Sequence, residues 1–282
     1  MAHRTELLII DAQNDFCDLP ERYCPVDPVS AERLAPALAV PGAHADMLRL
    51  AAFVRAQGDA LAAITVTLDS HHRVDIAHPP FWRSGTGAPV APFTTISAAE
   101  LRAGDYAPRD SAQLARAQAY LDALEANGRY RLMVWPVHCQ IGSWGHGLHA
   151  DLAAACNAWE DAKLQAVACV LKGDNPWTEH YSALQAEVPD PADPGTALNQ
   201  SLLARLDRAD TLLIAGEAGS HCVRASVEHL VEHLPSGRPE RLVLLTDCIS
   251  PVAGFEAEQA EFLAAMAARG VRLARSTELA LR

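Results

Sequence analysis

The sequence predicts an α/β fold, a three-layer α/β/α sandwich around a central, mostly parallel sheet of about six strands. Three observations carry the prediction. Short runs are apolar on successive residues instead of alternating, as in strands covered on both faces. Longer amphipathic stretches lie between them, as crossover helices should. Chemically reactive residues come directly after the runs, at the sheet edge where open parallel sheets bind ligands.

The strands expected, in order, are Leu7–Ile10, Ala62–Leu68, Ala166–Leu171, Thr211–Ala215 and Leu242–Thr246, with Val271–Leu273 a weaker sixth. The helices expected are Ala43–Gln57, Ser111–Asn127, Leu198–Leu206, Cys222–Leu234 and Glu256–Arg269. Gln57-Gly58, Asn127-Gly128 and Arg269-Gly270 read as helix ends with a glycine cap. Ala77–Asp110 breaks the rhythm with five prolines and several glycines, and reads as an irregular insertion: a surface loop, a lid or an oligomer contact. Val188–Gly195 reads as a connecting loop. The chain is taken as one domain, 1–282, carrying an inserted loop and helix at about 77–130.

Composition narrows the function. Among 282 residues, 23 Lys and Arg face 35 Asp and Glu, a net charge of −12 with no dense basic run. No nucleic-acid footprint is present in that pattern. No long uncharged apolar run suggests a membrane helix, and the N-terminus is too short in apolar residues for a signal-peptide core. Seven cysteines without a CxxC pair fit free thiols in a reducing cytoplasm.

The sheet edge collects the chemistry. Asp11 comes after the first strand, in Asp11-Ala12-Gln13-Asn14-Asp15-Phe16. Asp69-Ser70-His71-His72 comes after the second, with Asp75 and His78 beyond it. Lys172-Gly173 comes after the third, and Gly216-Glu217-Ala218-Gly219-Ser220-His221-Cys222 after the fourth. Cys222 opens an amphipathic helix, whose terminal N–H groups lower a thiol pKa and can hold an oxyanion. Asp11 can accept the thiol proton if burial raises its pKa, and Lys172 can balance the charges. Each residue alone has a plainer reading: a structural cysteine, a turn-capping aspartate, a solvated lysine. Cys17, Cys24, Cys156, Cys169 and Cys248 lack the setting of Cys222 and read as structural.

Asp69 and His71 stand two residues apart in an extended segment, on one side of it. His138 lies in Trp135-Pro136-Val137-His138-Cys139. One Asp and two His with open positions suit Zn, with Mn or Fe as alternatives, and His78 or His72 could add a fourth ligand. His146, His149, His180, His229 and His233 read as surface or capping residues.

Together these segments resemble the nicotinamidases within the isochorismatase-like cysteine hydrolases. The five matching segments are the Asp11 strand end, Asp69-Ser70-His71, Trp135-Pro136-Val137-His138-Cys139, Leu171-Lys172-Gly173 and the turn into Cys222-Val223, in the family's order. The resemblance implies a cytoplasmic amidohydrolase of NAD salvage, splitting nicotinamide into nicotinate and ammonia. It implies Asp11, Lys172 and Cys222 as catalytic residues, and Ala218 and Cys222 N–H groups as the oxyanion hole beside a cis Glu217–Ala218 peptide. It further implies one divalent metal at Asp69, His71 and His138, and Phe16 and Trp135 as walls for a flat ring. Its partner would be a small amide, with homo-oligomers frequent among relatives. The pattern departs at Ser220 and His221, where an acidic residue and Tyr are usual, and at Glu217, where an apolar residue is usual. The spacing from His71 to His78 does not match a fourth ligand. Another small amide as substrate, and a catalytically silent metal-binding protein, remain as alternatives.

Overall fold

The computed structural model describes residues 3–281. In chain order the elements are β1 (Thr5–Ile10), α1 (Ala43–Gln57), β2 (Leu61–Asp69), β3 (Trp82–Ser84), β4 (Thr94–Ile96), α2 (Ala98–Ala103), β5 (Tyr106–Pro108), α3 (Leu114–Asn127) and β6 (Leu132–Val134). The second half holds α4 (Ala150–Lys163), β7 (Ala168–Lys172), α5 (Gln200–Leu206), β8 (Thr211–Gly216), α6 (Cys222–His233), β9 (Leu242–Leu245), α7 (Glu256–Ala268) and β10 (Arg272–Ala274).

Six strands form the central sheet in the order β10-β9-β8-β1-β2-β7. Every pairing in it is parallel. All six residues of β1 are buried, which explains why its sequence does not alternate. Helices flank the sheet, α1 packing with α4 and α6 with α7. The main core runs through Leu7–Ile10, Leu212–Ala215 and Leu242–Leu245 and takes in Met47, Leu50 and Val54 of α1.

Several expectations need correction. The apolar run of β7 predicts burial on both faces, yet β7 is an edge strand. Its outer residues Cys169 and Leu171 are exposed, Leu171 at 56 %. Gly58 does not cap α1 in the left-handed region; its φ is −56° and it begins a short 3-10 turn. Gly128 and Gly270 do adopt positive φ. Helices α2 and α4 have no counterpart among the helices the sequence predicts.

The stretch 77–110 is also more ordered than its prolines suggest. Strands β3 and β5 pair antiparallel, as do β4 and β6. Ser97 caps α2 reciprocally with Glu100, accepting the Glu100 N–H while the Glu100 carboxylate accepts the Ser97 N–H. A second, smaller core forms from Ile76, Trp82, Ile96, Leu101, Leu121, Leu124, Leu132 and Val134. The two ends of this segment meet, with the Trp135 N–H donating to the Ala77 carbonyl at 2.7 Å.

Among the described residues, no helix is long and apolar enough to cross a membrane. All seven cysteines are free thiols.

Candidate active site

The carboxyl ends of β1, β2, β7 and β8 converge because these four strands are sheet neighbours. Asp69 and Lys172 are directly opposite each other in the β2–β7 register, so their side chains meet without a long loop. Gly216 ends β8 opposite Ile10 of β1. A Cβ on Gly216 would lie 1.9 Å from the Ile10 carbonyl oxygen, and its φ is +120°. Only glycine lets the turn before Cys222 leave the sheet this close to the Asp11 strand end.

Asp11, Lys172 and Cys222 lie together and are all buried. The Lys172 Nζ stands 2.9 Å from Asp11 Oδ2 and 2.8 Å from Asp69 Oδ1. It donates to the His180 carbonyl at 2.8 Å and reaches Cys222 Sγ at 3.6 Å. The Thr67 hydroxyl donates to Asp11 Oδ1 at 2.5 Å, fixing the carboxylate from its other side. Asp11 is therefore no surface turn cap, and Lys172 no solvated end residue.

The electrostatics derive from this burial. Burial pushes the Asp11 carboxyl up, against the pull of Lys172. Burial likewise pushes the Cys222 thiol up; Lys172 lowers it and Asp11 raises it. For Lys172, burial alone would favour the neutral amine, but Asp11 and Asp69 outweigh it and hold the ammonium charged. The resting group is thus a neutral thiol beside a carboxylate whose basicity has been increased. That is the pairing a proton transfer from sulfur to oxygen needs.

Next to it lies an imidazole cluster. His71, His78 and His138 are buried, with one donor nitrogen of each within 4.8 Å of the others. Asp69 Oδ2 lies 3.1 Å from His71 Nε2 and 3.4 Å from His138 Nε2. Each ring has an acceptor at Nδ1: Asp75 Oδ2 for His71 at 3.0 Å, the His72 carbonyl for His78 at 3.1 Å, and the Pro136 carbonyl for His138 at 2.8 Å. An acceptor on Nδ1 turns each ring so that Nε2 points into the cluster, as a metal ligand requires once Nε2 is deprotonated. Without an ion, Asp69 and Asp75 outweigh burial and hold the His71 imidazole above its ordinary value. Burial also pushes His78 down to about 3, so this ring is neutral. The donor set, three imidazoles and a carboxylate, fits a divalent ion such as Zn. His78 joins the cluster despite its unpromising spacing, because the segment from Asp75 folds back over His71. His72 is exposed and contributes only its carbonyl.

A narrow cleft opens onto both groups. Cys222, Ala218, Asp69 and His138 line it, with Phe16 and Trp135 as aromatic walls. The Glu217–Ala218 peptide is cis, and Ala218 and Cys222 face the cleft together. Leu38, Glu179, Tyr181, His221 and Val252 complete the lining. Tyr181 accepts the Trp135 indole N–H at 3.0 Å, and Glu179 is buried with Oε2 lacking a partner. Burial raises the Glu179 carboxyl above its ordinary range. Sequence reasoning singles out neither residue, since both lie in an irregular segment after β7 with no periodic or motif signal.

Three of the histidines that read as surface or capping residues are instead buried. His149 precedes α4 and hydrogen-bonds His44 at 2.8 Å through its ring. His180 accepts the Gly173 N–H on Nδ1, and His229 contacts the Ser182 hydroxyl at 2.9 Å.

No family model matches the chain. No curated protein matches it in sequence. Solved structures do share its fold. A nicotinamidase/pyrazinamidase of Acinetobacter baumannii aligns with TM-score 0.63 at 18 % identity, covering 99 % of each chain. The yeast nicotinamidase bound to the inhibitor nicotinaldehyde aligns with TM-score 0.62 at 18 % identity, covering 96 % of this chain and 99 % of that one. The pyrazinamidase of Pyrococcus horikoshii in complex with zinc aligns with TM-score 0.56 at 17 % identity, covering 96 % and 99 %. The chain therefore shares the α/β architecture, with its central parallel sheet, of these solved nicotinamidase and pyrazinamidase structures.

Proposed function

We propose that the protein is a cysteine amidohydrolase acting on a small carboxamide, with nicotinamide as its substrate and NAD salvage in the cytoplasm as its setting. One observation carries the reading: Cys222 Sγ lies in a buried triad, 3.6 Å from a lysine that is itself 2.9 Å from Asp11.

In this reading Asp11 takes the Cys222 proton as the sulfur forms a bond to the amide carbon. The carbonyl π pair moves to oxygen, and the N–H groups of Ala218 and Cys222 hold the oxyanion. Asp11 passes the proton to the amide nitrogen, the C–N bond breaks, and ammonia leaves a thioester on Cys222. Water, deprotonated by Asp11, then attacks the thioester; the C–S bond breaks and the thiolate recovers the proton. Lys172 stays charged throughout and offsets the negative charge shared by Asp11 and sulfur.

Asp69, His71 and His138, with His78, would hold a divalent metal, Zn in the first instance. Bound there, the ion would supply a Lewis acid able to take a ring nitrogen of the substrate. Phe16 and Trp135 would sandwich the ring, and Tyr181 fixes the indole by its hydroxyl.

A second reading, another small amide, is favoured by His221, which lines the cleft where the related enzymes usually carry Tyr. The test is ammonia release from nicotinamide by wild type, Cys222→Ala and chelator-treated protein. Release that is lost in Cys222→Ala supports the nucleophile. No release from zinc-loaded wild type sinks nicotinamide as substrate, and release persisting in Cys222→Ala overturns the mechanism.

A further inference from the structure

One buried acid takes no part in the chemistry above, and it sits in the nucleophile turn itself. Glu217 is 0 % exposed and precedes Ala218. Its Oε2 accepts the Ser250 N–H at 3.2 Å, while its Oε1 has no donor. Ser250 ties the same turn from two further directions. Its carbonyl accepts the Gly219 N–H at 2.8 Å, and its hydroxyl donates to Asp46 Oδ2 at 2.5 Å. Asp46, buried in the first turn of α1, forms an ion pair with Arg49. The Arg49 Nε donates to the Asp247 carbonyl at 2.5 Å.

Ser250 thus joins the two carboxyl groups, its N–H on Glu217 Oε2 and its hydroxyl on Asp46 Oδ2, and they lie near enough for each to shift the other's protonation. Two buried carboxyls this close, with one arginine beside them, do not both ionise. Asp46 already receives an arginine and a hydroxyl, so it is the member that ionises, and Glu217 holds the proton. We propose that Glu217 is a protonated positioning residue, donating to the Asp46 carboxylate and so clamping the Ala218–Cys222 turn against the start of α1. This rests on the reading of that turn as the oxyanion site.

The surroundings agree. Asp46 acts on Glu217 from α1, and Cys17 and Asp18 from the segment after β1, while Arg49, Asp247 and Cys248 are grouped around Asp46. Arg49 is the only cation in that set, and it is already bound to Asp46. Burial, with Asp46 adding to it, holds the Glu217 carboxyl well above the usual carboxylate range. Ionising Glu217 would place two carboxylates in contact, and the turn would separate from α1.

The experiment compares wild type, Glu217→Gln and Glu217→Leu. Gln keeps a permanent donor toward Asp46, whereas Leu fills the space and removes the link. Because the folded protein holds the Glu217 proton, wild type loses stability as pH climbs above the ordinary carboxylate value, and Glu217→Gln does not. The melting temperature of Glu217→Gln relative to wild type should therefore rise steadily between about pH 5 and 8. Turnover of nicotinamide should drop about tenfold to a hundredfold in Glu217→Leu, through kcat more than KM, and be restored in Glu217→Gln. Wild-type turnover should fall off on the alkaline side sooner than that of Glu217→Gln. A melting difference that is flat with pH overturns the proposal, and so does a Gln variant as impaired as Leu. The melting series needs no substrate, so it decides the protonation of Glu217 even if nicotinamide is not hydrolysed.

Discussion

Replacing Lys172 with Met tests the electrostatic core of the site. The ammonium has 2.9 Å and 2.8 Å contacts with the carboxylates of Asp11 and Asp69. At an effective dielectric of about 20, each contact corresponds to roughly 6 kcal/mol of attraction. Desolvation of three buried charges offsets most of that. Substitution leaves the reverse problem, two carboxylates buried side by side with no cation between them. Removing one partner of such a group costs about 3–5 kcal/mol, or roughly 10 °C in melting temperature for a chain of this size. The assay is thermal unfolding of chelator-treated Lys172→Met and wild type at about pH 5 and 8. The deficit should be larger at the higher pH, since acid lets the orphaned carboxylates take up protons. Adding Asp11→Asn to Lys172→Met should recover part of the loss. A single variant melting within about 2 °C of wild type at both pH values would refute the picture of a charged, desolvated cluster.

Three further outcomes can be checked separately. Burial pushes Glu187 from its ordinary 4.5 up to about 7, so its proton stabilises the fold below the ordinary value and that stability is lost as pH rises to about 7. Glu187→Gln should gain on wild type by about 3 kcal/mol across that window in denaturant titrations, and a constant difference would count against it. Gly216→Ala would force a methyl group to within 1.9 Å of the Ile10 carbonyl. It should lower stability by more than about 3 kcal/mol or abolish soluble expression, and a wild-type denaturation midpoint would contradict the packing. His78→Ala should weaken zinc retention by at least about tenfold to a hundredfold, read as metal content after dialysis; unchanged zinc would make His78 only a neighbour of the site.

How much of the fold and the site is legible in the sequence depends on periodicity. The strands that form the sheet interior announce themselves as unbroken apolar runs, and the pattern bounds α1 at the same two residues that bound it in the structure. Helix α4 escapes the pattern because its centre is Ala153-Ala154-Ala155-Cys156-Asn157-Ala158, where small residues blur any stripe. The small strands β3 to β6 span three residues each, too few for alternation to show. Asp11, Asp69 and Lys172 are legible because each stands directly at the end of an apolar run. Tyr181 and Glu179 are not, because only tertiary folding brings that segment over the cleft. His78 is hidden for a different reason. Linear spacing from His71 says little once the backbone reverses at Asp75, where the His78 N–H donates to the Asp75 carbonyl at 2.9 Å.

The contact between Ala77 and Trp135 has a topological consequence. A segment that leaves and rejoins the chain at one point is an excursion, and the sheet beneath it does not depend on its length. Its own core gives it local cohesion, so sequence can be added or removed there with little entropy cost to the rest. Yet the two ends of that excursion carry His78 and His138, whose nearest ring nitrogens are 3.2 Å apart. Rotation of the appended segment about its neck would therefore reach the imidazole cluster through these two rings, and α6 through the Arg129 contacts with Glu228 and His229. Variation in the excursion would be felt at the imidazole cluster and at α6 together.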